Sequence, residues 1–182
     1  KSIKILSPEN TIDTCGTGGD MSGTLNISTS AALVAASAGA YVAKHGNRSI
    51  SSKSGSADML EHLGFEIKIE NDKLEKLLKE HNFCFLFAQF HHTAMKHVVN
   101  VRKNLATRTI FNLLGPLTNP ASAKRQLLGV YESKWIKTHC EVLKKFGSNH
   151  AMVVHGNDGL DEISLSATTQ VCELKDGSIS EY

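Results

Sequence analysis

The sequence predicts an α/β fold in which helices pack on a mostly parallel central sheet. Short apolar, partly β-branched runs alternate with segments whose apolar residues recur at helical spacing. This alternation favours parallel strands joined by crossover helices. Polar residues and glycines gather in clusters, three of which directly follow a predicted strand. Because parallel sheets bind ligands beyond the carboxyl ends of their strands, we expect the functional site at these clusters.

The predicted strands are the short apolar runs. In chain order they cover residues 11–15, 41–44, 65–69, 84–87, 126–131, 151–155 and 169–174. The segment 26–39 predicts a helix because it is rich in alanine, opens with the favourable N-cap residue Asn26 and stops at Gly39. Another helix is expected to begin near Ala57.

Two later helices are predicted from capping residues and apolar stripes. Asp72 and Glu75 have the spacing of a capping box, and a leucine face follows them. That face comprises Leu74, Leu77 and Leu78. Ser133 can cap a helix that ends at Gly147. Its stripe comprises Ile136, Cys140, Leu143 and Phe146.

Length and composition limit the classes of protein to consider. A chain of 182 residues can form one sizeable domain, and its formal charge of +2 is too small to suggest a nucleic-acid partner. No apolar run approaches the ~20 residues that cross a bilayer, and the N-terminus lacks the apolar segment of a signal peptide. The cysteines lie far apart, so we expect free thiols in a cytoplasmic protein. They are Cys15, Cys84, Cys140 and Cys172.

A glycine-rich segment, residues 16–20 (the glycine loop), follows the first predicted strand. Its small residues let backbone N–H groups approach an anion, and the N-terminus of helix 26–39 offers further unpaired donors. Together they predict a phosphate or diphosphate site, with a tight turn and an ordinary helix cap as the alternative. A dinucleotide fingerprint would need glycine where Met21 stands, and no Gly-Lys-Ser/Thr tripeptide of a P-loop occurs.

Residues 44–52, the basic loop, follow the next predicted strand and combine Lys44, Arg48, an amide and three serines. Lysine and arginine supply charge-assisted hydrogen bonds to phosphate, and serines supply neutral ones. The alternative is a solvated polar loop.

Residues 156–162, the acidic loop, end in the adjacent carboxylates Asp161 and Glu162. Hard oxygen ligands of this kind suit Mg²⁺ that is shared with substrate phosphates. An exposed acidic turn is the alternative, and the spacing of an EF-hand is absent. His91, His92 and His97 lack the spacing of a zinc protease, and no nucleophile elbow occurs.

Several segments, in order along the chain, resemble the signature motifs of the anthranilate phosphoribosyltransferase family. They are Asp13-Thr-Cys-Gly-Thr-Gly-Gly-Asp20, Asn26-Ile-Ser-Thr29, Lys44-His-Gly-Asn-Arg-Ser49, Lys53-Ser-Gly-Ser-Ala-Asp58 and Phe111-Asn-Leu-Leu-Gly-Pro-Leu-Thr-Asn-Pro120. The acidic loop is similar to that family's magnesium motif. The resemblance implies a catalytic domain of the nucleoside phosphorylase/phosphoribosyltransferase type. It also implies transfer of the phosphoribosyl group of phosphoribosyl pyrophosphate (PRPP) to the amine of anthranilate, in tryptophan biosynthesis, with Mg²⁺ as cofactor.

The resemblance further implies roles for individual residues. Those expected to bind PRPP are Gly16, Gly19, Asp20, Thr24, Asn26, Ile27, Ser28, Thr29, Lys44, His45, Gly46, Asn47, Arg48, Ser49, Ile50, Ser51, Ser52 and Ser56. Those expected at anthranilate are Gly16, Asn47, Arg102, Gly115 and Pro116, with His45 nearby. Ser28, Asp161 and Glu162 would hold magnesium. Thr93 replaces a proline often found in this family, which leaves the shape of that loop open.

The chemistry agrees with this inventory. Breaking the bond between C1 and diphosphate leaves positive charge on the ribose and negative charge on the leaving group. Magnesium, Lys44 and a helix N-terminus can stabilise the leaving group, so electrostatics and positioning should dominate catalysis. An aromatic amine needs little activation, and the sequence singles out no general base.

Two other interpretations remain. A pyrimidine nucleoside phosphorylase has a similar fold and glycine loop, but the motif at 111–120 and the acidic pair favour the transferase. A catalytically silent relative that binds nucleotides or nucleic acid is disfavoured by the near-neutral charge and by the retained Ser28 and Arg102.

The chain does not begin with methionine. Members of the resembling family also carry an N-terminal helical subdomain, through which they usually form dimers, and further helices after this region. We therefore expect residues 1–182 to be the α/β catalytic domain of a longer, homodimeric chain, lacking most of the helical subdomain and turning over poorly alone. Some relatives are fused to a glutamine amidotransferase domain, which makes such a domain an expected partner.

Overall fold

The structure, a computed structural model, describes residues 8–20, 22–49, 54–92, 97–105 and 107–182. Its strands are β1 (Ile12–Gly16), β2 (Val42–Gly46), β3 (Phe83–Phe87), β4 (Arg125–Gly129), β5 (His150–Gly156), β6 (Thr169–Lys175) and β7 (Ser178–Glu181). Its α-helices are α1 (Ile27–Ser37), α2 (Ser56–His62), α3 (Asn71–His81), α4 (Ala88–His91), α5 (Val99–Leu105), α6 (Ile110–Leu114) and α7 (Ile136–Lys145). Short 3-10 helices cover Gly115–Leu117 and Ser133–Trp135.

The strands form one seven-stranded sheet in the order β3-β2-β1-β4-β5-β6-β7. The pairs from β3 across to β5 are parallel, whereas β6 and β7 add antiparallel strands at one edge. The predicted mostly parallel α/β fold is therefore confirmed. Because β1, β2, β4 and β5 run in one direction, the loops that follow them meet at one edge of the sheet.

Helices cover both faces of the sheet around β3, and every residue of that strand is buried. Phe83, Phe85 and Phe87 pack in one cluster with α1 and α2, whereas Cys84 and Leu86 pack in another with α3. Successive side chains of a strand point to opposite faces, which explains why this strand is a continuous apolar run. Helix α7 packs on β4, β5 and β6.

Helix α1 ends as the sequence predicts. The Gly39 N–H donates to the Ala36 carbonyl and the Ala40 N–H to the Ala35 carbonyl, both at 3.0 Å. Gly39 has a φ of +95°. This Schellman motif favours glycine at that position because its left-handed backbone conformation is strained for residues with a Cβ.

The predicted strand at 65–69 is wrong, because this segment pairs with no strand and runs irregularly from α2 to α3. Ile67 nevertheless lies in the cluster under α1 and α2. The alternation of apolar residues thus reflects burial of Ile67 rather than pairing with β3, which is the edge strand on this side.

The predicted caps of two helices are also wrong. Glu70, not Asp72, precedes α3, and Asp72 lies in its first turn. Ser133 begins a 3-10 helix ahead of α7 and makes no side-chain cap. The buried faces of both helices are confirmed through Leu74, Leu78, Ile136, Cys140 and Leu143. Phe146, which was predicted to belong to the apolar stripe of α7, is instead 60% exposed.

Strand β7 was missed, although the sequence contains its signal. Asp176 and Gly177, both at positive φ, join β6 to β7 in a two-residue turn. An Asp-Gly pair is a characteristic loop of such hairpins. The four cysteines are buried and free, as expected. Among the described residues, no helix has the length and apolar character that crossing a membrane requires.

Candidate active site

The predicted site segments meet at the carboxyl ends of the central strands. The glycine loop leaves β1, the basic loop leaves β2, and the acidic loop leaves β5. The acidic loop folds back over the ends of β1 and β4, where a Cβ on Gly16 would lie 2.6 Å from the Asp161 carboxylate. A Cβ on Gly129 would overlap the Asp161 backbone, so the close approach of the acidic loop requires glycine at that position.

The glycine loop is clamped between β4 and the acidic loop. Gly18 and Gly19 adopt positive φ angles. The Gly18 N–H donates to the Asp161 carboxylate at 2.7 Å. The Thr17 N–H donates to the Gly129 carbonyl at 2.9 Å, and the Thr17 hydroxyl accepts from the Tyr131 N–H at 3.0 Å.

The N-terminus of α1 faces the second carboxylate of the acidic loop. The Ser28 N–H donates to Glu162 Oε1 at 3.1 Å, and the Ser28 carbonyl accepts from the Thr14 hydroxyl at 2.8 Å. An anionic oxygen thus already occupies the helix terminus, as the orientation of the helix dipole favours. Thr29 is buried and its hydroxyl lies 3.0 Å from that of Ser56.

The two carboxylates are crowded and poorly solvated. Asp161 is 8% exposed. Burial, followed by the neighbouring charges of Asp20 and Glu162, raises the pKa of Asp161 to about 7. Burial also raises the pKa of Glu162, against the opposing effect of Lys44. A cation placed between these groups would offset both penalties.

The donor set of Ser28, Asp161 and Glu162 fits Mg²⁺ better than a metal held entirely by protein. Among the described residues, no group of three or more histidine, cysteine, aspartate or glutamate side chains is arranged to hold an ion. Two carboxylates and a hydroxyl leave positions for water and phosphate oxygens, which is how magnesium is usually bound beside a phosphorylated substrate.

Lys44 lies beneath the site rather than in solvent, with 1% of its surface exposed. Its ammonium donates to the Thr14 carbonyl and, at 3.3 Å, to the Ser28 hydroxyl. Burial lowers the pKa of Lys44, and the nearby Asp13 carboxylate opposes that effect. The positive charge of Lys44 therefore lies at the N-terminus of α1, next to Ser28, the residue expected to contact magnesium.

The basic loop is tied to the start of α2. Arg48 forms ion pairs with Asp58 at 2.8 Å and with Glu61 at 2.6 Å. The Asp58 carboxylate also accepts from the Ser49 and Gly55 N–H groups, at 3.2 and 2.8 Å. The predicted phosphate ligand Arg48 is thus engaged within the protein, which the composition of the loop did not predict. Ile50, Ser51 and Ser52 lie outside the described residues.

The remaining predicted PRPP residues lie between β1 and α1, at the start of α1 and at the end of β2. The Ser22 hydroxyl donates to Asp20 at 2.6 Å and lies 3.1 Å from that of Thr24. Asn26 precedes α1, as predicted, but its side chain makes no cap and its amide donates to Ser54 at 3.3 Å. Ile27 is the first residue of α1. Gly46, at the end of β2, lies close to Phe85 and Ser56.

A second group of predicted residues gathers beside the basic loop. His45 Nε2 lies 3.2 Å from His92 Nε2. Burial, then the neighbouring His92, His91 and Lys44, lowers the pKa of His45 to about 3. This side chain is therefore neutral near pH 7. Asn47 Oδ1 accepts from the Gln89 side chain at 3.1 Å.

The remaining predicted acceptor residues are Arg102, on α5, and Gly115 and Pro116, in the 3-10 helix that follows α6. The Arg102 guanidinium carbon lies 5.5 Å from the centre of the Phe111 ring, and burial lowers the pKa of Arg102. Pro116 is buried. A Cβ built on Gly115 would meet no atom within 4 Å, so open space lies in front of this residue. Thr93, the departure from the family pattern, lies outside the described residues.

Three residues near the site received no role from the sequence. Asp13 is fully buried, and its carboxylate accepts from the His45 N–H at 3.1 Å. Gln126 donates to the same carboxylate at 3.4 Å. Arg108 packs against Gly19, with its guanidinium carbon 4.3 Å from the centre of the Tyr131 ring. A charged residue inside a strand buried on both faces was the available signal for Asp13.

Comparisons with known proteins agree with this geometry. The model of the glycosyl transferase family, a/b domain, matches residues 8–182. An anthranilate phosphoribosyltransferase of Methanobrevibacter smithii is 58% identical over 180 residues, which are 99% of this chain and 54% of the relative. One from Halorhodospira halophila is 55% identical over 94% of this chain and 50% of its own length.

Solved structures give the same result. The anthranilate phosphoribosyltransferase of Thermus thermophilus superposes with a TM-score of 0.88 at 45% identity, covering 97% of this chain and 53% of that one. The Saccharomyces cerevisiae enzyme in complex with PRPP and Mg superposes with a TM-score of 0.87 at 34% identity, covering 100% and 50%. The resemblance and the fold class predicted from the motifs are confirmed. The chain spans about half the length of the relatives it matches.

Proposed function

Because this chain belongs to the glycosyl transferase family, a/b domain, we propose that it transfers the phosphoribosyl group of PRPP to the amine of anthranilate. The products are N-(5-phosphoribosyl)anthranilate and diphosphate, in tryptophan biosynthesis. The observation that carries the proposal is the pair of buried Asp161 and half-buried Glu162, which contacts both the glycine loop and the N-terminus of α1. The glycine loop and the N-terminus of α1 can bind diphosphate, but two carboxylates lie at the same place. A cation between the carboxylates and the diphosphate would offset their repulsion.

PRPP would lie along the glycine loop and the start of α1. The Gly19 N–H and the Ser28 hydroxyl are candidate donors to its phosphates, whereas the Gly18 N–H already donates to Asp161 and the Thr29 hydroxyl to Ser56. Magnesium, held by Ser28, Asp161 and Glu162, would neutralise the charge that develops on the diphosphate. Lys44 adds a fixed positive charge at the same place. The yeast relative solved with PRPP and Mg supports this assignment.

Anthranilate would enter beside the basic loop. Arg102 would pair with its carboxylate, and Asn47, Gly115 and Pro116 would border the ring. His45 would lie near the amine as a neutral imidazole, because burial holds its pKa at about 3. We assign no general base. The yeast relative solved in complex with 4-fluoroanthranilate supports an anthranilate site in this fold.

Residues 1–182 would be the α/β catalytic domain of a longer chain, because the relatives are about twice as long. A homodimer through a helical subdomain, and a fused or associated glutamine amidotransferase component, complete this proposal. An apolar surface on α5 and α6 supports contact with further protein. Its exposed residues include Val101, Leu105, Ile110 and Leu114. Near-normal kcat/KM for the 182-residue chain, against one extended to the relatives' length, would contradict this part.

The test of the activity is the fluorescence of anthranilate. Loss of fluorescence that needs both PRPP and Mg²⁺ supports the transferase. Phosphorolysis of thymidine with no loss of anthranilate would instead support a pyrimidine nucleoside phosphorylase and refute the proposal.

Two substitutions separate the two substrates. Arg102→Ala should raise the KM for anthranilate by ~10- to 100-fold, because a hydrogen bond to a charged group is lost. Asp161→Ala should instead raise the magnesium and PRPP concentrations needed for half-maximal rate. Arg125→Ala is the matched control, since Arg125 lies on β4 and bonds Asn10. An unchanged anthranilate KM and kcat in Arg102→Ala would show that the acceptor assignment is wrong.

A further inference from the structure

Strands β1 and β2 stop pairing soon after they begin. The Ile12 N–H donates to the Tyr41 carbonyl at 2.9 Å, and the register places Ile12 opposite Val42. Although the structure describes every residue of these two strands, no later pair joins them. By contrast, β2 and β3 pair over five residues, and so do β1 and β4. The ladder between β1 and β2 is therefore open towards the carboxyl ends of the strands, where the candidate site lies.

Regular pairing would continue from Ile12 to Thr14. In a parallel ladder alternate residues bond to the same neighbouring strand, so Thr14 would lie opposite Lys44. The Thr14 carbonyl would then accept from the His45 N–H. The Ala43 carbonyl would accept from the Thr14 N–H. In the structure, the carbonyls of Thr14 and Ala43 both accept from side chains instead.

The His45 N–H and the Thr14 carbonyl have side-chain partners in place of each other. The His45 N–H donates to the Asp13 carboxylate at 3.1 Å, and Asp13 is fully buried. The Thr14 carbonyl accepts from the Lys44 ammonium. Asp13 thus provides the acceptor that the ladder would have provided, and the Thr14 carbonyl is left to Lys44.

The position of the Lys44 ammonium depends on Thr14. Besides the Thr14 carbonyl, the ammonium has the Ser28 hydroxyl as an acceptor, at 3.3 Å. The Thr14 hydroxyl in turn donates to the Ser28 carbonyl at 2.8 Å. Because Lys44 is buried, these protein groups rather than bulk water determine where its charge lies.

A second side chain occupies the same gap between the strands. The Asn119 side-chain amide donates to the Ala43 carbonyl at 2.8 Å. Regular pairing would have given this carbonyl to the Thr14 N–H. Asp13 and Asn119 therefore replace two successive bonds of the missing ladder.

From this arrangement we propose that Asp13 is a positioning residue that sets the place of Lys44 in the diphosphate site. By accepting the His45 N–H, Asp13 keeps the ladder open at Thr14. Closure of the ladder would take the Thr14 carbonyl from the Lys44 ammonium. Asp13 acts only through the backbone of β2. The inference rests on the proposed function, since it takes Lys44 as a charge that stabilises diphosphate.

The test measures the binding of diphosphate in the presence of Mg²⁺ by calorimetry, on the full-length protein that carries this chain. In Asp13→Ala the buried His45 N–H loses its acceptor, so the ladder bond to the Thr14 carbonyl becomes the favoured replacement. The Kd for diphosphate should rise about tenfold, the usual effect of losing a hydrogen bond to a charged group. The kcat/KM for PRPP should fall by a similar factor.

Asp13→Asn separates the hydrogen bond from the charge. Its side-chain oxygen can still accept from the His45 N–H, so the Kd for diphosphate should stay close to the native value. Glu173→Ala is the matched control. Glu173 is a carboxylate on β6 that lies 2.6 Å from His150, and its loss should leave the Kd unchanged.

Asn119→Ala tests the open ladder independently of Asp13. It frees the Ala43 carbonyl for the Thr14 N–H, which again favours closure of the ladder. The Kd for diphosphate should therefore rise in this variant too. A native Kd in folded Asn119→Ala would show that the open ladder does not position Lys44, whether or not Asp13→Ala folds.

The remaining outcomes are distinguishable because diphosphate binding needs no turnover. A native protein that binds diphosphate with Mg²⁺ but consumes no anthranilate overturns the proposed function alone. A native protein that binds no diphosphate overturns the inference, and so does a native Kd in folded Asp13→Ala. Equal rises in Asp13→Ala and Asp13→Asn also overturn it, because the loss of charge rather than of the acceptor would then be the cause.

Discussion

Two glycines lie beneath Asp161, and replacing each by alanine should have very different effects. A Cβ on Gly16 would lie 2.6 Å from the Asp161 carboxylate oxygen, at the movable end of a side chain. A Cβ on Gly129 would instead overlap the backbone carbonyl of Asp161. The first change displaces an oxygen, whereas the second displaces the acidic loop itself.

The distances give the size of each effect. Real Cβ atoms do not come within 3.0 Å of another heavy atom, so Gly16→Ala requires a shift of about 0.4 Å, which is 3.0 Å minus 2.6 Å. Gly129→Ala requires a backbone shift on the order of 1 Å, which in an active site can reduce the rate about 100-fold. Overpacking of this kind should also lower the free energy of unfolding by about 1–3 kcal/mol.

The assay is the rate of anthranilate consumption as a function of magnesium, together with urea unfolding of each variant. Gly129→Ala should raise the magnesium concentration at half-maximal rate well above that of Gly16→Ala. Gly115→Ala is the control for stability and magnesium dependence, since a Cβ there meets no atom within 4 Å. A native unfolding midpoint and native magnesium dependence in Gly129→Ala would refute the reasoning.

Two other predictions concern pH and the basic loop. Burial lowers the pKa of His45 from 6.5 to about 3, so between these values the unfolded chain binds a proton that the folded chain does not. The free energy of unfolding should therefore fall as the pH drops from 6.5 towards 3, and this fall should be smaller in His45→Gln. Urea unfolding at pH 7 and at pH 4.5 measures the fall, and equal falls in the native protein and in His45→Gln would contradict the reasoning. Asp58→Asn should raise the KM for PRPP about tenfold, because the Ser49 and Gly55 N–H groups lose a charged acceptor. Glu61→Gln removes only an exposed ion pair with Arg48 and should change that KM little; equal effects of the two variants would argue against the Asp58 tether.

Most of the fold could be predicted because its signals are local. The apolar run of β3, the alanine-rich helix with Gly39 at its end and the buried stripe of α7 each express their own periodicity. The segment 65–69 was mistaken for a strand because alternation records only which side chains are buried. Pairing also requires hydrogen bonds to an adjacent strand, and this segment does not join β3, the edge strand on that side of the sheet.

The sequence predicted which loops form the candidate site, but not the hydrogen bonds and ion pairs between their residues. A rule about parallel sheets predicted that the glycine, basic and acidic loops would meet, and they do. No local pattern predicted that Arg48 would turn to Asp58, or that Lys44 would be buried under Ser28. The roles of individual residues at PRPP, anthranilate and magnesium stay predictions.

The sequence by itself determined which chemical groups this protein can bring to its site: a glycine loop, a helix N-terminus, the lysine at position 44 and two adjacent carboxylates. Only the tertiary structure decided that Glu162 faces the N-terminus of α1, that Asp161 accepts from Gly18, and that Gln126 donates to Pro116. The physical reason is distance along the chain. Helix caps, turns and apolar stripes depend on residues a few positions apart, whereas these contacts depend on strand register and on how the loops pack over the sheet.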